Sequence, residues 1–203
     1  QMDFLSEKAS SMISWLEAMT FNNGSIPMFN DSTNGVAPST AELRNYAKRL
    51  GIASKTMPLT DSGYRKAIGY KYEMYMDVGD IGPDYQSGHA HADTLSFVLN
   101  LDNAPFLVDC GISTYERNTR RHSERSTFSH NTVVVGDINQ SEVWAAFRVA
   151  RRAHAEVLEE KEGLLRATHD GYKRINAVHE RSFEWNDTEI KITGTEKCQT
   201  IKY

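Results

Sequence analysis

Cysteine is scarce in this sequence, with only Cys110 and Cys198 among 203 residues. Two thiols build neither a disulfide framework nor a zinc knuckle, and each is expected to be a lone buried thiol packing as a small hydrophobe. Long apolar runs are also missing, so no segment is expected to cross a bilayer as a helix. Charge of either sign is close to balanced, at a formal −4. Such a balance gives no general attraction to nucleic acid or to an anionic membrane, and neither is expected as a partner. Internal repeats and low-complexity tracts are absent as well. What remains, 39% hydrophobic and 25% charged residues, is the composition of a globular protein long enough to bury a core. Charge is uneven locally, basic over 117–125 and 148–154 and acidic over 156–162.

The chain reads as two stretches of different period. Phe4, Leu5, Ala9, Met12, Ile13, Leu16 and Met19 recur at helical spacing, and Asn22, Asn23 and Gly24 stop that helix. A second helix starts at Ser39 with Glu42 completing a capping box, carries Leu43, Tyr46, Ala47 and Leu50 on one stripe, and ends at Gly51. From Gly63 onward the period becomes two. Half-buried strands are expected over 70–77, 95–101, 105–109, 132–135, 153–157, 164–168, 181–185 and 188–193, joined by turns such as Asp102-Asn103, Asp170-Gly171 and Asn186-Asp187. Many short strands at close spacing predict a mainly β fold, an antiparallel β-sandwich preceded by a short helical segment. The boundary is set at 57/58, giving a helical segment 1–57 and a β-sheet domain 58–203. The chain opens in helix-like and stops in strand-like sequence, so it is expected to be a piece of a longer protein.

The stretch from Gly88 to Asn131 concentrates the chemistry. It holds His89, His91, His122 and His130 with Asp93, Asp109, Tyr115, Arg117, Arg120, Arg121 and Arg125. Charged groups at this density fold only if they find partners, and crowded titratable groups are how proton-transfer and metal sites are built. In an extended segment His89, His91 and Asp93 would share one face, and Asp109 and His130 could approach from neighbouring strands. Two imidazoles and a carboxylate suit zinc; hydrogen-bonded interior histidines and a turn-capping aspartate are the other reading. The basic run admits two readings too. Its arginines could pair with Glu116 and Glu124 on a solvated loop, or their planar guanidiniums could grip carboxylates or sulfates of an anionic ligand. Tyr115, Trp144 and Phe147 could stack on sugar rings or pack in the core.

GHAHADTLSF, LVDCGISTY, RSTFSHNTVVV and the NQSEVW segment, in this order, resemble the C-terminal region of heparinase II/III-like polysaccharide lyases, clearly over residues 63–160. More weakly, WLEAM and GSIPMFNDS resemble the last helices of that family's α/α toroid. The resemblance implies an incomplete toroid followed by antiparallel sheets, with β-elimination of uronate-containing polysaccharide in the cleft between them. By position, His89 resembles the family's active-site histidine, and His91, Asp109 and His130 resemble the ligands of a bound metal, usually zinc, that orders loops beside the cleft. Tyr115 is a candidate catalytic contact, and Arg117, Arg121 and Arg125 are candidates for binding an anionic polysaccharide. Cys110 stands where the family often has proline.

The resemblance also implies that the principal tyrosine and its carboxylate-binding partner belong to toroid sequence outside this chain. The chain alone is therefore expected to turn over little substrate, and the family implies a periplasmic or secreted location. Two other classes compete: a non-catalytic carbohydrate-binding sandwich with a structural metal, and a zinc hydrolase suggested by HAHAD. The hydrolase pattern continues HxHxD with a histidine, whereas Thr94 follows here.

Overall fold

The computed structural model describes residues 2–198, without the side chains of Met2 and Cys198. The expected placement of the Cys198 thiol and the end of the β domain, 199–203, thus lie outside the described residues. Helix α1 spans Met2–Ala18 and α2 spans Thr40–Arg49. The capping box forms as expected: Ser39 Oγ accepts from the Glu42 amide at 3.3 Å, and the Ser39 amide donates to Glu42 Oε2 at 2.8 Å.

Two antiparallel four-stranded sheets follow. The first runs β1 (Tyr64–Ile68), β2 (Tyr72–Asp77), β3 (Phe97–Leu101) and β4 (Ala104–Leu107), in that order. After helix α3 (Thr119–Glu124) and the hairpin of β5 (Glu142–Trp144) and β6 (Arg148–Ala150), the second sheet uses β7 (Ala155–Lys161), β8 (Leu164–His169), β9 (Ala177–Trp185) and β10 (Ile190–Cys198). Its order is β10-β9-β8-β7. The sheets face one another through Met74, Met76, Phe97 and Leu99 on one side and Leu165, Ala167 and Phe183 on the other. This is the expected sandwich.

Strand β2 departs from the half-buried expectation because both of its faces are covered. Tyr72, Met74 and Met76 enter the inter-sheet core, while Tyr75 packs with Met19, Phe21, Phe29, Leu59 and Val98. The chain leaving α1 thus forms a third layer on the first sheet, anchored where Tyr75 Oη donates to the carbonyl of Ala18 at 2.7 Å. That layer carries residues 28–32 toward the histidine block.

Two local expectations are corrected. Residues 132–135 form no strand; Val135 makes only an isolated bridge to Ile138, because Asn131, Thr132 and the carbonyl of Val133 are tied sideways to Phe97, Thr94 and Tyr172. The basic run is not a loop but contains α3, capped by Asn118 Oδ1, which accepts from the Arg121 amide at 2.9 Å.

Candidate functional site

The segment His89–Asp93 has no regular secondary structure, so its side chains are aimed by external pins rather than by a pleat. Gln140 Nε2 donates to the carbonyls of Ala92 (2.9 Å) and Thr94 (3.1 Å). Arg125 grips the carbonyl of Ala90 from both Nε and Nη2, and the His91 amide donates to Asn30 Oδ1 at 2.9 Å. Leu95 completes the turn at φ 62°, a strained value for a leucine, while fully buried.

Asp31, brought in by the loop after α1, sits at the centre. Its Oδ2 lies 2.8 Å from His89 Nδ1 and its Oδ1 lies 2.9 Å from His91 Nε2, while both terminal nitrogens of Arg121 clasp the same carboxylate. Burial raises the Asp31 pKa, but the hydrogen bonds from His91, Arg121 and His89 prevail and hold it at about 2. An ionised carboxylate only accepts, so the histidine nitrogens facing it are the protonated ones. Asp31 lies within the GSIPMFNDS stretch, but nothing in that stretch marks its role. It is a loop aspartate far along the chain from the residues it joins, and only the fold reveals it.

Behind this layer lies a second carboxylate–imidazole pair. Asp109 Oδ2 is 2.7 Å from His130 Nδ1, both side chains being fully buried, and Asp109 Oδ1 accepts from the Gly111 amide at 3.2 Å. Burial lowers the His130 pKa, but the hydrogen bond to Asp109 and the charges of Asp93 and Asp109 raise it above the ordinary histidine value. The His91 and His130 rings lie 5.3 Å apart, centroid to centroid. His91 Nδ1, His130 Nε2 and Asp93 Oδ2 are all buried without a hydrogen-bond partner. Burial raises the pKa of Asp93, countered by the charges of His130 and His91.

Three unpaired polar atoms in one buried neighbourhood cost free energy unless something fills the gap, and imidazole nitrogen with carboxylate oxygen is a ligand chemistry that suits a divalent cation. Among the described residues, the potential ligand atoms that all lie within 4.8 Å of one another belong to Asp109, Cys110 and His130, and His91 stands outside that group. Asp109 supports His130 through Nδ1, the arrangement common behind a metal-bound imidazole. Cys110 is exposed rather than buried, a correction to its expected role as a core thiol. Partial burial and the nearby charges of Asp109 and Glu124 push its thiol up to about 12, so it is a poor thiolate donor.

On the solvent side, His89 is exposed over 58% of its side chain. Its ring lies 5.8 Å from Tyr115 and 5.6 Å from Phe147, which are themselves 5.5 Å apart and both partly exposed. The Arg121 guanidinium underlies both aromatics, 5.2 Å from Tyr115 and 5.5 Å from Phe147. Next to this platform a groove of about 590 Å³ is lined by Tyr85, Gly88, Arg117, Phe147, Arg148 and Arg152. On the other side of His89 lies a cleft of about 710 Å³ with Tyr64, Asp77, Asp80 and Asp93 in its wall.

The three arginines expected to meet a ligand separate. Arg117 lines the open groove, but Arg121 and Arg125 are fully buried, which corrects the expectation that they present free guanidiniums. As residues four apart on and just beyond α3 they share its inward face, and their donors are spent on Asp31, Ala90, Ala146 and Arg148. His122 lies on the same short helix, and no described contact brings it to the cluster.

A family described as Heparinase II/III-like, C-terminal, matches residues 53–200. Two solved structures share the fold. Heparan sulfate lyase HepC from Pedobacter heparinus aligns with a TM-score of 0.65 at 18% identity, over 90% of this chain and 31% of that one. A heparinase III, the BT4657 gene product, aligns with a TM-score of 0.61 at 16% identity, over 93% of this chain and 32% of that one. The chain therefore spans about a third of the length of these structures. No curated protein matches it.

Proposed function

The chain belongs to the heparinase II/III-like C-terminal family, and from that premise we propose that it is the β-sheet part of a polysaccharide lyase that cleaves uronic-acid-containing chains by β-elimination. The observation that carries the reading is the exposed His89, oriented from behind by Asp31 and flanked by an aromatic platform and an arginine-lined groove. Sugar rings stack on partly exposed aromatics such as Tyr115 and Phe147, and guanidiniums at Arg117, Arg148 and Arg152 match carboxylates or sulfates.

Elimination from a 4-linked uronate takes the proton from C5, forms the C4–C5 double bond and breaks the bond from C4 to the glycosidic oxygen, which then gains a proton. The C5 proton is weakly acidic while the neighbouring carboxylate is charged, so that charge has to be neutralised as the base acts. With Nδ1 engaged by Asp31, His89 has Nε2 left to take or give a proton at the cleft. The Tyr115 hydroxyl, beside it, is the second group of this chain able to serve the leaving oxygen or orient the ring. Burial and the charge of Asp31 raise the Tyr115 pKa, which keeps it a hydroxyl donor at neutral pH.

His91 Nδ1 and His130 Nε2 are the atoms of this chain that would hold a divalent cation, zinc by ligand type, with Asp109 fixing His130 from behind. When bound, the cation supplies fixed positive charge that locks the two histidine-bearing loops together. The remaining catalytic groups are proposed to lie in preceding toroid sequence, which leaves the isolated chain able to bind sugar but not to turn it over.

The reading is tested by following the absorbance of the unsaturated uronate product. The longer protein carrying this chain is offered heparan sulfate, heparin, chondroitin and alginate. Product from at least one is expected. No product from any of the four, with the protein folded, overturns the reading in favour of a sugar-binding module.

A further inference from the structure

We propose that Asp31 is a positioning residue whose two carboxylate oxygens set the tautomers of His89 and His91 together, so that one acid group both readies the cleft histidine and prepares the metal-facing one. The inference rests on the reading of His89 as the cleft histidine and of His91 as a metal ligand, and it adds the coupling of the two rings through one carboxylate, which that reading does not assign.

The two oxygens of Asp31 are divided between the rings. Oδ2 faces His89 Nδ1 at 2.8 Å, and Oδ1 faces His91 Nε2 at 2.9 Å. Each of those nitrogens must carry hydrogen to bond a carboxylate, so each opposite nitrogen carries the lone pair. For His89 that lone pair is on Nε2, on a ring largely open to solvent. For His91 it is on Nδ1, buried and without a partner, and the His130 ring stands 5.3 Å from its own, centroid to centroid. A free imidazole prefers the opposite tautomer from the one imposed on His89, so the preference is supplied by the fold.

Asp31 is itself held rigidly. The Arg121 fork fixes the plane of its carboxylate, and Arg121 is anchored by donating from Nε to the carbonyl of Ala146 at 3.0 Å. The loop bearing Asp31 is pressed onto the Asp109 segment, where the Ile112 amide donates to the Ser32 carbonyl at 3.0 Å. A displacement at either histidine is therefore felt at the other through a single carboxylate.

Nitrogen-15 spectra of the imidazole rings in this 203-residue chain provide the test, read at about pH 8.5, where ordinary histidines are neutral. In the wild type, His89 is expected as the Nδ1–H tautomer and His91 as Nε2–H. In Asp31→Asn, His89 is expected to revert toward Nε2–H while His130, held by Asp109, stays Nδ1–H. Zinc affinity, measured by competition with a chelating dye, is expected to fall at least about tenfold. His89 found as Nε2–H in the wild type overturns the proposal without recourse to any variant. So do unchanged His89 and His91 signals in a folded Asp31→Asn protein. Lyase activity plays no part in these readouts, so a missing eliminase activity would sink the proposed function and leave this inference standing.

Discussion

Arg121 and Arg125, one helical turn apart, both donate to the carbonyl oxygen of Ala146, from Nε at 3.0 Å and Nη1 at 3.1 Å. Two buried guanidiniums converging on one carbonyl repel each other, and burial together with the charge of Arg121 lowers the Arg125 pKa to about 10. Asp31 supplies the compensating charge. Removing Arg121 leaves that carboxylate to its two histidine donors alone, and breaking a buried pair costs about 3–5 kcal/mol. Arg121→Ala is accordingly expected to lower the unfolding free energy by that order in urea titration, whereas Arg117→Ala, on the open groove, is expected to stay within about 0.5 kcal/mol. Equal effects would mean that the two arginines do not differ in burial as described.

Gly111 controls how closely the Asp31 loop approaches. It lies at φ 54°, and a Cβ there would sit 2.2 Å from the carbonyl oxygen of Ser32. Gly111→Ala therefore combines left-handed strain with a backbone clash, for a cost above about 2 kcal/mol. Chemical denaturation reads the loss, and the His89 ring signals are expected to shift with it. A neutral substitution would show that this contact is looser than described.

Acid sensitivity between about pH 6.5 and 4 has a source away from the site. His169 and His179 face each other across β8 and β9, both fully buried, with ring centroids 5.4 Å apart. Burial first, then the charge of its neighbours His179 and Arg181, lowers His169 to about 3. Burial and Arg181 lower His179 to about 4. Both stay neutral when folded but take up protons near pH 6.5 when unfolded, so the unfolded state binds more protons below that pH. The contribution of these two histidines to stability is expected to be fully present above about pH 6.5 and to be lost as pH drops toward 4, with up to about two protons taken up on unfolding. A flat melting temperature across that window, or a His179→Gln variant with an unchanged slope, would contradict the assignment.

Zinc should stabilise the chain. With free metal at about 100 times its dissociation constant, a site present only in the folded state adds about 2.7 kcal/mol. The melting temperature is expected to rise on adding zinc, to return on chelation, and to stop responding in His91→Ala and in His130→Ala. A response retained in both variants would move the metal to a different set of residues.

Much of this architecture could be read in the residues, for identifiable reasons. Period-two patterning and turn dipeptides such as Asn186-Asp187 act locally, so β8, β9 and β10 and the sandwich they form were legible. The α2 cap was equally so, because Ser39 and Glu42 meet within one turn. Fates decided by distant neighbours were hidden. Val133 and Val135 have strand propensity, but Asn131 and Tyr172 engage their surroundings first. Arg121 and Arg125 look like surface charges until α3 turns them inward. Within the site, the motifs marked His89, His91, Asp109 and His130. The role of Asp31, inside the GSIPMFNDS stretch, stayed hidden because its partners lie some sixty and ninety residues away.

The most direct test of the account is His89→Ala in the longer protein that carries this chain, with unsaturated-product absorbance and bound zinc measured on the same samples. The account predicts elimination lost by at least about a hundredfold, as expected for removing a proton-transfer group, with zinc content unchanged, since His89 faces the cleft and not the His91–His130 neighbourhood. Full activity without His89, or zinc departing together with it, would contradict the division of labour between the two histidines.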